Sequence, residues 1–215
     1  MAVAPGRLAG WLDRFEQRHP EPAWSALDGH AVVVAADGAR AHIRLPCEVD
    51  GPPASSAAEL VSRAESFRDC GLVLVRRGGF AVGRVADAVL DDSRCGTRYV
   101  QGRTKAGGWS QQRFARRRAN QADELVAAAA RAVRDVLATA LHEPGFPLVG
   151  GGDRQLVGAS LALAGRELSG QLPGGSMLAG RLLPDHLDVP DPRRRVLEAA
   201  VEQARSVRIT LNELA

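Results

Sequence analysis

The sequence predicts an α/β fold: a mixed sheet covered by helices, preceded by a small N-terminal α+β extension. Three observations lead there. The apolar runs Leu72-Val73-Leu74-Val75 and Phe80–Val85, separated by Gly78-Gly79, read as neighbouring strands. A stretch from about Ser110 to His142 repeats Phe114, Val126, Val133, Val136, Leu137 and Leu141 on one face, with alanines between, which is the pattern of a long helix. From residue 71 the order of elements reads β-β-β-α-β-α-β-α, which layers helices on a sheet. At 215 residues, one domain or a domain with an extension is the expectation, and the pattern divides as 1–70 and 71–215.

In chain order, Leu8, Trp11, Leu12 and Phe15 stand at helical spacing, and His19-Pro20-Glu21-Pro22 ends that helix because proline lacks the N–H. His30–Ala36 is a strand pattern, and Asp37-Gly38 turns it into a second, Arg40–Leu45. Residues 50–56 form a Gly/Pro/Ser loop, after which Ser55 or Ser56 caps a helix through Leu60, Val61, Ala64 and Phe67. Past the two strands of 72–85, a third begins near Gly96 and runs into a basic loop, and the long helix follows. Phe146–Val149 is a fourth strand and Gly150-Gly151-Gly152 a tight connection to a helix over Asp153–Ala164, capped by Asp153. Gly170–Gly180 is a loop, His186–Val189 a short strand, Pro192–Ala204 an amphipathic helix and Val207–Leu211 a last strand. No internal repeat stands out.

Charge is concentrated in one place. The net charge is only +3, yet Arg98, Arg103, Lys105, Arg113, Arg116, Arg117 and Arg118 fall within 98–121 with no acidic residue among them. Any polyanion contact is therefore localised to one loop and helix start. Cys47, Cys70 and Cys95 are far apart and lack metal-ligand spacing, so they read as reduced thiols. No apolar run approaches the ~20 residues of a membrane span, and no secretory h-region opens the chain. A soluble cytoplasmic protein is expected, with no membrane partner and no cofactor.

The chemistry of the basic stretch follows from its residues. Gly107-Gly108 allows close backbone approach to a ligand, the cations neutralise phosphates, and Trp109 offers a face to stack on a base or ribose. Gln111 and Gln112 supply both donor and acceptor without titrating near neutrality, so either can orient a water or carbonyl but cannot serve as a general base. The alternative is a Gly-Gly turn with solvated arginines; the clustering favours nucleic acid.

The run Gly107-Gly108-Trp109-Ser110-Gln111-Gln112-Arg113-Phe114-Ala115-Arg116-Arg117-Arg118 resembles the catalytic loop and following helix of the eukaryotic/archaeal class I peptide-release factors, whose Gly-Gly-Gln tip is followed by Ser and then Arg-Phe-Ala-Arg. It is more similar still to the bacterial release-factor-like peptidyl-tRNA hydrolases, relatives of the eukaryotic ribosome-quality-control releasing factor, in which the tip glutamine is displaced downstream. The likeness extends through much of 71–215. It implies a ribonuclease-H-like release-factor middle domain and peptidyl-tRNA ester hydrolysis. It also implies partners: the large ribosomal subunit, ribosomal RNA and the CCA end of peptidyl-tRNA. Gly107, Gly108 and Gln111 or Gln112 would be catalytic, with Arg98, Arg103, Lys105, Trp109, Arg113, Arg116, Arg117 and Arg118 on nucleic acid. Aligned without a gap, Trp109 occupies the glutamine's place. Gln111 is the favoured substitute because it directly follows Ser110, with Gln112 close behind. No stretch resembles a stop-codon-reading domain, so release independent of the codon is expected.

Other residues carry less. The five histidines are scattered. Asp87, Asp91 and Asp92 balance nearby arginines more readily than they build a two-metal site. Gly150-Gly151-Gly152-Asp153 is a strand-to-helix turn without the Gly-Lys-Ser/Thr of a P-loop, and Arg193-Arg194-Arg195 reads as a solvated helix start. Two further functions stay open: a non-catalytic ribosome- or tRNA-binding factor, and a tRNA nuclease cutting near the CCA end.

Overall fold

The structure, a computed structural model, describes residues 1–47, 52–97, 110–172 and 177–215, with backbone alone over 110–119. In chain order the elements are β1 (Ala2–Val3), α1 (Pro5–Arg18), β2 (Ala23–Leu27), β3 (His30–Val34), β4 (Arg40–Arg44), α2 (Ala57–Ser66), β5 (Cys70–Arg76), β6 (Gly79–Ala86) and β7 (Val89–Thr97). Then come α3 (Ser110–Leu141), β8 (Leu148–Gly152), α4 (Arg154–Glu167), β9 (Leu182–Leu187), α5 (Arg194–Arg205) and β10 (Val207–Leu211). Contacts group them into two units, residues 1–68 with 202–215, and residues 69–201.

In the first unit an antiparallel sheet runs β1-β10-β4-β3-β2. Its core gathers Leu8, Leu12 and Phe15 of α1, Leu60 and Ala64 of α2, and Ala31, Val33, Ala41, Ile43, Val207 and Ile209 from one face of the sheet. Pro5 opens α1, where its missing N–H costs nothing. Ser56 is the cap of α2: its hydroxyl accepts from the Glu59 N–H at 3.3 Å, and the Glu59 carboxylate accepts from the Ser55 N–H at 2.9 Å. The sequence reading places 207–211 in the domain of 71–215; here that strand pairs with β4 and β1 in the first sheet. Partners so distant leave no local pattern.

The second unit is built on a mixed sheet of order β7-β6-β5-β8-β9. β5, β6 and β7 are antiparallel neighbours, and β8 and β9 continue the sheet in parallel from β5. Helices α3 and α4 pack on the face carrying Val73, Val75, Phe80 and Val82. On the opposite face Leu197 of α5 closes over Gly83, where a Cβ would meet it at 2.8 Å. This is the expected mixed sheet covered by helices, in the arrangement of a ribonuclease-H-like domain.

Three strands and the buried face of one helix differ from the sequence reading. Strand β7 starts at Val89, well before Gly96: it is an exposed edge and needs no apolar alternation. The glycines 150–152 are the strand β8 itself, not a connection. A side chain at Gly151 would meet Leu74 at 2.7 Å and one at Gly152 the Val75 carbonyl at 2.4 Å, so the parallel strands close only over glycine. Strand β9 begins at Leu182, and its register against β8 shifts between Leu148 and Gly150. The buried stripe of α3 runs through Leu125, Ala129, Val133, Val136, Leu137 and Leu141, with Val126 only partly buried beside it.

Candidate nucleic-acid interface

The basic stretch joins the edge strand β7, which ends at Thr97, to the head of α3, which begins at Ser110. Glycine sets the base on the strand side. Gly96 lies opposite Phe80 in the β6–β7 register, and a Cβ there would stand 2.4 Å from Phe80 Cε1 and 2.6 Å from Cζ. The buried ring thus lies over a residue without a side chain. One step on, Gly79 faces Thr97, and a Cβ on it would meet the Gly96 carbonyl at 2.5 Å. The final pair before the loop is backbone against backbone, so the point at which the chain leaves the sheet is closely fixed.

On the helix side, the described contacts lie toward the far end. Leu125 is the first buried residue of the described part of α3, and Asn120–Glu124 are exposed or half-buried. Residues 110–124 span about 22 Å of helix at 1.5 Å per residue. Arg94 on β7 donates to the Asp135 carboxylate, and Arg134 pairs with Glu167 of α4 at 3.0 Å. At the C-terminus, Arg181 Nη1 donates to the carbonyls of Leu141 at 2.8 Å and Glu143 at 3.1 Å. A cation there satisfies acceptors that the helix cannot, and complements its dipole.

The head of α3 is the electrostatic opposite. Its first turn holds no acidic residue, while Arg113, Arg116, Arg117 and Arg118 follow within it and the next turns. The free N–H groups of a helix start already carry partial positive charge and attract anions. Cations placed there oppose helix formation, and an external polyanion removes that opposition. This chain places Gln111 and Gln112 in the first turn of α3 and the four arginines from the close of that turn onward, and the side chains of 110–119 lie outside the described residues. So do Arg98, Arg103, Lys105, Gly107, Gly108 and Trp109 in full.

The remaining candidates resolve into structural roles. Arg84 donates to the Asp91 carboxylate. The Asp87 N–H donates to Asp69 Oδ1 at 2.6 Å in the β6–β7 turn. No group of His, Cys, Asp and Glu among the described residues is placed to hold a metal. The Asp153 carboxylate accepts from the N–H groups of Gln155 and Leu156 at 3.0 and 3.2 Å, taking the place a phosphate would need at the start of α4. Arg194 pairs with Glu198 at 3.0 Å and reaches Ser93 Oγ at 3.2 Å. Partial burial pushes the Cys95 thiol up, against the pull of Arg194 and with Glu198 adding to the rise, which disfavours the thiolate. His19 bonds Asp37, and His186 bonds the Gly152 carbonyl at 3.0 Å. The sequence did not mark Gly79, Gly96, Arg94 and Arg181 as positioning residues. A glycine within a polar edge strand was the one available signal.

No helix among the described residues is long and apolar enough to cross a membrane. The sequence model of the family described as Actinobacteria/chloroflexi VLRF1 release factor matches residues 68–210, more than half of the chain. No curated protein matches it.

Proposed function

The chain belongs to the VLRF1 release-factor family, whose members act in release at the ribosome, and from that premise we propose that it is a codon-independent peptidyl-tRNA hydrolase. Its substrate is peptidyl-tRNA held on stalled ribosomes or large subunits, in the cytoplasm. One observation carries the reading: the run from Gly107 to Arg118 leads into the head of α3, a 32-residue helix whose buried stripe, among the described residues, begins at Leu125. At the head of a long helix, such a loop can reach into a narrow site.

In this reading Arg98, Arg103, Lys105, Arg113, Arg116, Arg117 and Arg118 neutralise phosphates near the CCA end and of ribosomal RNA, while Trp109 stacks on a base or ribose. Gly107 and Gly108 bring the backbone close to the ester. Gln111, or Gln112 beside it, orients the attacking water or shapes the amides that do so. A positioned water and preformed donors toward the developing oxyanion are sufficient for ester hydrolysis without a protein general base. Free N–H groups at the start of α3 would favour the same negative charge.

Trp109 standing where a release factor has glutamine favours a second reading, in which the loop occupies the site without catalysing. Single-turnover release of nascent peptide from large subunits carrying peptidyl-tRNA separates the two. Gln111→Ala or Gln112→Ala lowers the release rate while subunit binding persists if the chain is a hydrolase. No release by the unmodified chain despite tight binding refutes the hydrolase. The tRNA on a gel separates ester hydrolysis, which leaves it intact, from cleavage near the CCA end, which shortens it.

A further inference from the structure

Helix α1 sorts its charges around a stripe that faces the core. Leu8, Leu12 and Phe15 are buried. At roughly 100° per residue, Arg7, Arg14 and Arg18 fall together on one flank of that stripe, with Trp11 beside them, while Asp13 and Glu16 lie on the other side. All three arginines are exposed, and their guanidinium groups have no hydrogen bond or ion pair among the described residues. The helix surface next to them is open. A Cβ at Gly6 would meet nothing beyond its own helix within 4 Å, and one at Gly10 would meet Arg14 Nη1 alone, at 3.5 Å. Arg18 stands in the last turn, where the helix dipole already favours a cation. Arg7 and Arg14 have no such support.

These residues border a cavity of about 240 Å³, lined by β1, Arg7, Trp11, Arg14, Glu202 and Ser206, all within the first unit. Trp11 is half-buried: it packs against the core and stacks on Phe15, with ring centroids 5.6 Å apart and planes at 21°. Two charges of the lining stand at the unfavourable ends of their helices. Arg7 lies in the first turn of α1, whose start has no side-chain cap. Glu202 lies in the last turn of α5. The helix dipole disfavours a cation at the first place and an anion at the second. Ser206 Oγ donates to the Glu202 carbonyl at 2.8 Å, and the exposed Glu202 carboxylate has no hydrogen bond or ion pair among the described residues. A ligand that brings an anion to Arg7 and N–H donors to Glu202 relieves both.

From this arrangement we infer that the cavity is a site for one unpaired RNA nucleotide. Its phosphate lies on Arg7 and Arg14, its base stacks on Trp11, and the edge of the base meets Glu202. A carboxylate only accepts hydrogen bonds. Guanine offers it two adjacent N–H donors on the Watson–Crick edge, whereas each other base sets an acceptor beside its donor. Guanosine is therefore the preferred nucleotide. The cavity is smaller than the about 300–1,000 Å³ of whole-ligand pockets, which leaves ribose and phosphate at the rim beside the arginines. The apolar face of α1 is committed to the core, so the helix has no stripe to insert into a lipid surface. An acidic peptide would meet Glu202 with like charge. That the nucleotide belongs to ribosomal RNA rests on the function proposed above.

The test follows the indole N–H signal of Trp11 by NMR in the full chain, one of three tryptophan signals, assigned with Trp11→Phe. The probes are the 5′-monophosphates of guanosine, adenosine, cytidine and uridine, and inorganic phosphate. The guanosine nucleotide is expected to move the Trp11 signal saturably, with about fivefold or higher preference over the other three. Replacing Arg7 and Arg14 together by Gln, at exposed positions, weakens its binding about tenfold or more with melting unchanged. Lys at both positions keeps most of the affinity, because the charge remains. Glu202→Ala brings the guanosine nucleotide down to the level of the adenosine one. Several results overturn the inference: a Trp11 signal that guanosine monophosphate leaves in place, equal affinity for it and for inorganic phosphate, equal affinity for all four nucleotides, or binding indifferent to the arginine pair. A larger shift with anionic vesicles or polyglutamate than with nucleotides does the same. Peptide release plays no part in this titration. Nucleotide binding without release sinks the hydrolase alone; release without a Trp11 shift sinks the site alone.

Discussion

Gly96→Ala tests how the base of the basic loop is fixed. The new methyl would lie 2.4 Å from Phe80 Cε1 and 2.6 Å from Cζ, about 1 Å or more inside ordinary carbon–carbon contact of about 3.5–4.0 Å. Phe80 is only 5% exposed and packs in the core shared with α3 and α4, so its ring cannot swing into solvent. Overpacking of this kind costs about 1–3 kcal/mol. Phe80→Leu alone removes part of a buried ring and should cost about 1–3 kcal/mol, below the 3–5 of truncation to alanine. The informative quantity is the double variant. With the ring replaced by the smaller leucine side chain the new methyl has room, so the pair should cost at least about 1 kcal/mol less than the sum of the singles, within the range of coupling for residues in contact. Urea unfolding monitored at equilibrium gives all four free energies. A Gly96→Ala cost below about 0.5 kcal/mol, or additivity within the usual 0.3–0.5 kcal/mol, would refute the steric argument.

Three further outcomes are expected. Ala88 sits at φ 67° in the β6–β7 turn, a left-handed conformation that costs a residue with a Cβ about 1–2 kcal/mol; Ala88→Gly should raise unfolding stability by up to about 1 kcal/mol once the entropy of glycine is deducted. Asp153→Ala removes the cap of α4 and should lower stability by about 0.5–2 kcal/mol in the same assay, whereas Asp153→Asn, which still accepts hydrogen bonds, loses less. The hydrogen bond from His19, with a further one from the Ala39 N–H, holds the Asp37 carboxyl below its ordinary 3.8. A depressed carboxyl stabilises the fold above its unfolded value and loses that contribution as pH falls through the folded one. The unfolding midpoint should therefore drop below pH 3.8 less steeply in Asp37→Asn than in the unmodified chain.

What the sequence made legible was what local chemistry decides. The spacing of Leu8, Leu12 and Phe15 marked α1, Asp37-Gly38 marked the β3–β4 turn, and the Ser and Asp caps marked the starts of α2 and α4. Tertiary causes hid the rest. Strand β2 is mostly exposed, and β7 pairs on one side only, so neither carries strong alternation. The three glycines of β8 looked like a turn because glycine is intrinsically unsuited to strands; contacts with Leu74, Leu187 and the Val75 carbonyl make it necessary there. At the candidate site, residue types and order were readable, since chemistry and family resemblance both attach to the primary sequence. The geometry at its base was not, because the clash at Gly96 depends on which residue β6 places opposite it.

The pairing of β10 governs when the first sheet can exist. The N-terminal amine of Met1 donates to the Ile209 carbonyl at 2.7 Å across 208 positions, and among the described residues β10 is the one strand beside β1. During synthesis, at roughly 5–20 residues per second, α1, β2, β3, β4 and α2 all emerge before the strand that bridges β4 to β1. Residues 69–201 meanwhile contain every partner that their own sheet requires. The second unit can therefore mature first, while the opening segment waits with β1 unpaired and one side of β4 open. The N-terminal sheet closes only after translation has passed residue 211, so any ribosome stall before that point strands this protein's own opening segment half-built.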